Sequence, residues 1–207
     1  MTAAPLSIAL PDVNGYTTAD LHALPEDGRL WELIDGSLIV SPSATIDHNM
    51  IAHWIWRALM DSNPFDDEFV VGADQSTTID DHNEPRPDVI VAPAEFLRLT
   101  PFPIEGAQLV VEVVSPTSVL RDTEIKRVLY ARAGVPSYWI VVPDADEPSI
   151  RLAELVLDGP GERYRFATHY TSEVFETDRP WPFRIDLPRL IAKRARAMRI
   201  KPSEGQD

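Results

Sequence analysis

Residues 109–116, Leu-Val-Val-Glu-Val-Val-Ser-Pro, place the tightest constraint on what this chain can fold into. Side chains alternate along a strand, so Val110, Glu112 and Val114 share one face while Val111 and Val113 take the other. Both faces are apolar, and the run therefore reads as a strand set into the core. Glu112 is the exception within it. A carboxylate is tolerated in such a place mainly when it is paired, protonated or bound to a metal, which makes Glu112 a candidate site residue.

The flanking sequence predicts one α/β domain over residues 16–200, with a loose lead-in at 1–15 broken by Pro5, Pro11 and Gly15, and a flexible tail at 201–207. Thr17 or Thr18 caps a short helix. The runs 29–34 and 37–40, joined by Asp35-Gly36, carry a strong hairpin signal. Apolar residues at helical spacing predict a helix from Thr45 to about Met60, ended by Asp61-Ser-Asn-Pro64. Strands are expected at 68–79, 88–91, 108–114 and 137–142, with a helix from about Arg121 to Ala133 closed by Gly134. Two further strands, 150–157 and 164–169, flank a Gly159-Pro-Gly161 turn and read as a peripheral β-hairpin. A last helix covers 186–198.

At 207 residues the chain is long enough for one substantial core. It has no cysteine, which excludes disulfides and thiolate metal sites. Nothing approaches the ~18 consecutive apolar residues of a membrane span, and the first residues lack the pattern of a secretory signal. A cytoplasmic protein is expected. The net charge of −14 argues against a generic nucleic-acid binder, since phosphate neutralisation supplies most of such affinity. The charge is uneven. Residues 189–201 hold Arg189, Lys193, Arg194, Arg196, Arg199 and Lys201 with no acid, and the rest of the chain, with 13 of the 19 Lys and Arg against all 33 Asp and Glu, balances at −20. This basic segment reads as a solvated or docked helix face rather than a phosphate-contacting arm.

Two more acids resemble Glu112 in setting. Glu32 lies within Leu30-Trp-Glu-Leu-Ile34, and Asp88 opens Asp-Val-Ile-Val after two prolines that fix an extended approach. Each alone fits a core acid paired with Arg29, Arg86 or Arg127. Three together point to a hard divalent cation, which takes oxygen ligands. Asp122, Lys126 and Tyr130 then fall at i, i+4 and i+8 of a helix, on roughly one face. They read either as a surface Asp–Lys pair or as a lysine held beside a metal, where it orients a water or stabilises developing charge.

The ordered set Trp31-Glu-Leu-Ile-Asp-Gly36, Ser41-Pro42, Arg86-Pro-Asp88, Val111-Glu-Val-Val-Ser-Pro116, Asp122, Lys126, Tyr130 and Gly134-Val-Pro-Ser-Tyr-Trp139 resembles the Uma-two family of restriction endonucleases, a branch of the PD-(D/E)XK nuclease superfamily. The resemblance spans about residues 16–190. It implies a restriction-endonuclease-like core, a mixed central β-sheet flanked by helices. Pro87-Asp88 matches the PD element, Glu112 the acid of the (D/E)XK element, and Glu32 an additional early acid. Val114 stands where the superfamily usually has lysine, with Lys126 on the following helix as the substitute.

The implied activity is hydrolysis of DNA phosphodiester bonds with Mg²⁺, or Mn²⁺, held by Asp88 and Glu112 with Glu32 assisting, and with Lys126 positioning water or neutralising charge. Tyr130 is expected to brace its helix. His48 resembles a histidine frequent after the family's Ser-Pro and is placed near the site, less as a ligand than as a neighbour. A homodimer is expected from the need to cut two strands. Two other readings compete: a degenerate nuclease fold acting as a binding or regulatory module, and a nuclease acting on RNA or small phosphodiesters.

Overall fold

The computed structural model of the chain describes residues 11, 13–41, 43–159, 161 and 163–199. Most of the expected lead-in, all of the expected tail, and Pro42 and Pro160 of the quoted motifs lie outside the described residues. In chain order the elements are α1 (Thr18–His22), β1 (Leu30–Ile34), β2 (Ser37–Ser41), α2 (Ile46–Ser62), β3 (Phe69–Ala73), β4 (Thr77–Thr78), β5 (Val89–Pro93), β6 (Phe102–Pro103) and β7 (Leu109–Val113). They continue with α3 (Lys126–Arg132), β8 (Ser137–Pro143), β9 (Ile150–Val156), β10 (Arg165–Thr171), β11 (Val174–Thr177), β12 (Phe183–Asp186) and α4 (Leu187–Met198). Between β7 and α3, Arg121–Ile125 form a π-helical turn, in which the Lys126 N–H donates to the Arg121 carbonyl five residues back.

Six strands make the central sheet in the order β10-β9-β8-β7-β5-β3. Only β7 and β8 run parallel, because α3 crosses between them; every other pair is antiparallel. The 150–171 hairpin stands at the sheet's edge and is fully part of it, since β9 pairs with β8 along seven residues. The sequence alternation in β7 sorts its side chains as expected. Val111 and Val113 pack with Ile51, Ile55 and Leu59 of α2, Trp139, Phe175 and Leu187, while Val110 and Val114 pack with Tyr130, Tyr138 and Ile140 on the α3 side. Burying apolar side chains on both faces supplies the main drive for folding, ~25 cal/mol per Å².

The β1–β2 hairpin forms with Asp35 and Gly36 both at positive φ, 46° and 67°, as a two-residue turn of this hand requires. It is tied to the segment before β5 by reciprocal backbone bonds between Leu33 and Glu84. The single strand expected over 68–79 is two. β3 ends where Asp74 turns to φ 50°, and Thr77–Thr78 pair instead with Phe102–Pro103. The small β11–β12 hairpin was not anticipated; its four-residue strands are too short to carry a period. α4 is docked through Arg194, which is buried and binds Asp47 and the carbonyls of Asp144, Glu147 and Ser149. That settles the basic segment, as far as residue 199, as a docked helix. No helix among the described residues is long and apolar enough to cross a membrane.

Candidate active site

Three elements distant in sequence deliver acids to one place. Glu32 comes from β1, Asp88 sits directly before β5, and Glu112 lies in β7, where strand alternation aims it to the α3 side. The Lys126 ammonium lies between them, 2.7 Å from Glu32 Oε1 and 2.9 Å from Glu112 Oε1, with Asp122 Oδ1 at 3.8 Å. Glu32, Glu112, Asp122 and Lys126 are all buried. The Tyr130 hydroxyl donates to the same Glu112 oxygen at 2.8 Å, so Tyr130 braces the carboxylate as well as its helix. Tyr138 packs edge-on against Tyr130 and donates to the Asp122 carbonyl, fixing the π-helical turn to the sheet.

Glu32 is anchored by the Arg86 backbone N–H at 2.8 Å, and Ser41 Oγ lies 3.4 Å from its other oxygen. Asp88 Oδ2 accepts from the Val113 N–H at 2.7 Å, which ties it to the residue after Glu112. His48 Nε2 lies 2.8 Å from the Val113 carbonyl and 3.5 Å from Asp88 Oδ2. A carbonyl only accepts, so Nε2 carries the proton and donates. The arginines expected as partners of these acids go elsewhere. Arg29 pairs with Asp27, Arg127 with Glu124, and the Arg86 guanidinium with Asp74.

Four carboxylates here face two fixed cations, Lys126 and Arg121, the latter 3.6 Å from Glu32 and 3.5 Å from Asp122. Four ionised carboxylates against Lys126 and Arg121 would leave an excess of two negative charges on these six side chains. Burial raises Glu112 well above the ordinary glutamate range, and the neighbouring charges of Asp122, Asp88 and Glu32 add to it. Burial also raises Asp88, to about 6, against the opposing pull of His48 and the Val113 N–H. Asp122 is raised for the same first reason. Burial opposes ionised Glu32 too, yet Lys126 and the hydrogen bonds from Lys126 and Arg86 outweigh it and leave its pKa lowered. Burial likewise works against a charged Lys126, but Glu112, Glu32 and Asp122 overcome this and hold it protonated.

Glu32, Glu112 and Lys126 are thus in direct contact, and Asp88 joins them through the β7 backbone. Asp122, noted in the sequence for its helical spacing, is a fourth acid of the site. Arg121 carries no sequence signal, since its place depends on the π-helical turn. Asp122 Oδ1, Arg121 Nε and His48 Nδ1 are buried without a hydrogen-bond partner among the described residues. Asp88 Oδ1 and Glu112 Oε2 also receive none there. No three Asp, Glu, His or Cys side chains of the described residues converge as a metal cage.

A mixed sheet flanked by helices, with Glu112 of β7 and Glu32 of the β1–β2 hairpin meeting a lysine of the crossover helix and Asp88 beside them, is a restriction-endonuclease-like α/β fold. The crystal structure of a "putative nuclease belonging to DUF820" from Anabaena variabilis ATCC 29413 has the same fold, with a TM-score of 0.64 at 15% identity over 86% of this chain and 98% of that one. The chain belongs to the Uma2 family, whose model, described as "Putative restriction endonuclease", matches residues 18–176. No curated protein matches the chain.

Proposed function

We propose that this protein is a metal-dependent endonuclease that hydrolyses DNA phosphodiester bonds at the Glu32–Asp88–Glu112–Lys126 site. The observation that carries the reading is Lys126 bridging Glu32 and Glu112 at 2.7 and 2.9 Å inside a site with more carboxylates than cations. Membership in a nuclease family supports it.

The donor set fits Mg²⁺ or Mn²⁺. Mg²⁺ is held by one or two carboxylates and keeps several waters, so it needs no cage of protein ligands. Asp88 Oδ1 and Glu112 Oε2 are the unshared oxygens that would hold it, with Glu32 assisting. When bound, such an ion supplies Lewis acidity toward a phosphoryl oxygen and acidifies a water. The chain's own residues do the rest. Tyr130 and Lys126 fix Glu112 Oε1 and so leave Oε2 to face its task. The Val113 N–H fixes Asp88 Oδ2 in the same way, and His48 holds the Val113 carbonyl. Lys126, held between Glu32 and Glu112, supplies a fixed positive charge to the site that would offset charge developing on the phosphoryl oxygens without reorganising.

Cleavage of plasmid and single-stranded DNA in Mg²⁺ or Mn²⁺ tests the reading. Loss of cleavage in Asp88→Ala and Glu112→Ala is expected, and undiminished cleavage in Glu112→Ala would overturn it. A homodimer, read by sedimentation, belongs to the proposal for duplex cutting. One observation favours a second reading, a binding module without catalysis: Lys126 already occupies the space between two of the acids. DNA binding without cleavage at any divalent cation would select it.

A further inference from the structure

The α3 side of the sheet carries a second group of residues that the site does not use. Phe166, His169 and Tyr170 cluster on edge strand β10. The Phe166 and His169 rings stack with centroids 4.8 Å apart and planes 21° apart, and Tyr170 lies 6.1 Å from Phe166. The Arg151 guanidinium of β9 sits 5.8 Å over the Tyr170 ring. His169, Tyr170 and Arg151 are exposed. Arg127, next in sequence to Lys126, is paired with Glu124 at 4.0 Å.

Register places this group relative to the site. Val113 pairs with Val141 and Val141 with Leu152, so Arg151 stands opposite Val142. Ile150 and Leu152 face α2, hence Arg151 faces the α3 side, the side of Glu112. Arg151 is two strands from β7, about 10 Å at the usual strand spacing. The group therefore lies beside the acids, at the same end of the sheet and on the same face. Arg151 supplies the exposed positive charge beside these rings, with Asp144 within its electrostatic reach and Arg127 paired to Glu124.

We propose that Tyr170, Phe166, His169 and Arg151 form a stacking platform for unpaired bases of a DNA strand that runs from the Glu112 site toward the β10 edge. Aromatic faces accept any base, and arginines track the backbone and add cation–π attraction, which is the chemistry of single-strand binding. This rests on the nuclease reading and refines its substrate to DNA with a single-stranded stretch next to the cut.

Fluorescence anisotropy of the full chain with a labelled single-stranded oligodeoxynucleotide and its blunt duplex, in EDTA, tests the proposal. The single strand is expected to bind more tightly than the duplex. Tyr170→Ala and Arg151→Ala are each expected to weaken single-strand binding ~5-fold or more, while Tyr170→Phe, which keeps the ring, stays within about 2-fold of wild type. Unchanged melting curves show that the exposed substitutions leave the fold intact. Wild-type binding by Tyr170→Ala, equal affinity for both DNA forms, or no binding by wild type would each overturn the platform. Cleavage by Glu112→Ala is read separately. If it is lost while Tyr170→Ala binds normally, the platform fails and the nuclease stands; if it persists while Tyr170→Ala binding falls, the reverse holds.

Discussion

Lys126 places its ammonium 2.9 Å from Glu112 from a helix fourteen residues further on, while Val114, just after β7, enters the apolar layer against Tyr130 and Tyr138. The charge that the superfamily pattern puts on the strand is supplied here by the crossover helix. The strand is thereby free to be wholly apolar apart from Glu112.

Lys126 is accordingly a structural cation. Lys126→Met leaves Glu32 and Glu112 buried without their counter-ion, and breaking a buried pair from one side costs about 3–5 kcal/mol. Urea unfolding at pH 7.5 (about neutral) is expected to show that loss. A change under about 1 kcal/mol would mean that the acids are not ionised together.

Asp88 sets a pH dependence of the opposite kind from an ordinary surface acid. Its folded pKa of about 6 lies above the model-peptide value of 3.8, so the folded state binds the extra proton between them. Stability contributed by this group is therefore highest at low pH and declines as pH rises through about 4 to 6. Asp88→Asn, which can still accept from the Val113 N–H, is expected to remove that decline. It should stabilise the metal-free protein at neutral pH by on the order of 1–3 kcal/mol, measured by denaturant titration across pH. An unchanged pH profile would refute this role.

Glu32 runs the other way. Its pKa is lowered in the fold, so its contribution is present above the unfolded value and is lost as pH falls through the folded one. Glu32→Gln is expected to flatten the acid limb of the stability curve and to destabilise at neutral pH. An acid limb identical to wild type would count against the Lys126–Glu32 pair.

Divalent cations should relieve the crowding of charge. Calorimetry with Mg²⁺ or Mn²⁺ is expected to show binding weakened about tenfold or more in Asp88→Ala and Glu112→Ala, since each loses a hard oxygen ligand. Equal binding in wild type and both variants would remove the metal assignment.

Tyr130→Phe isolates one hydrogen bond. The ring keeps its place against Tyr138, but Glu112 Oε1 loses a donor at 2.8 Å. A cost of about 1–2 kcal/mol in unfolding free energy is expected, with cleavage reduced less than in Glu112→Ala.

The sequence made the site's acids legible because burial is written in their neighbours. A carboxylate between valines in a strand has to be explained, and Glu112, Glu32 and Asp88 each announced themselves that way. The same logic located β7, α2 and the Asp35-Gly36 hairpin, whose patterns are local. What it missed depends on partners far away in sequence. The arginines nearest the acids in sequence were expected to pair with them, yet the structure gives Glu32 the backbone N–H of Arg86 and gives its side chain to Asp74. Arg121 and the buried state of Asp122 follow from a helical turn that no spacing rule anticipates. The split of the 68–79 strand turns on Asp74 at positive φ, a choice made by the tertiary fold.

That turn between Arg121 and Ile125 also says how such a site can be retuned. One residue added to a helix turns everything after it by about 100° while advancing it only ~1.5 Å. A wide turn absorbs that extra residue locally. The angle at which Lys126 and Tyr130 meet the sheet is thus governed by helix phase, separately from the spacing of the strands that carry the acids. An insertion or deletion at 121–125 would therefore change the helix phase of Lys126 and Tyr130 together, and with it the Tyr138 contacts that hold the turn to the sheet.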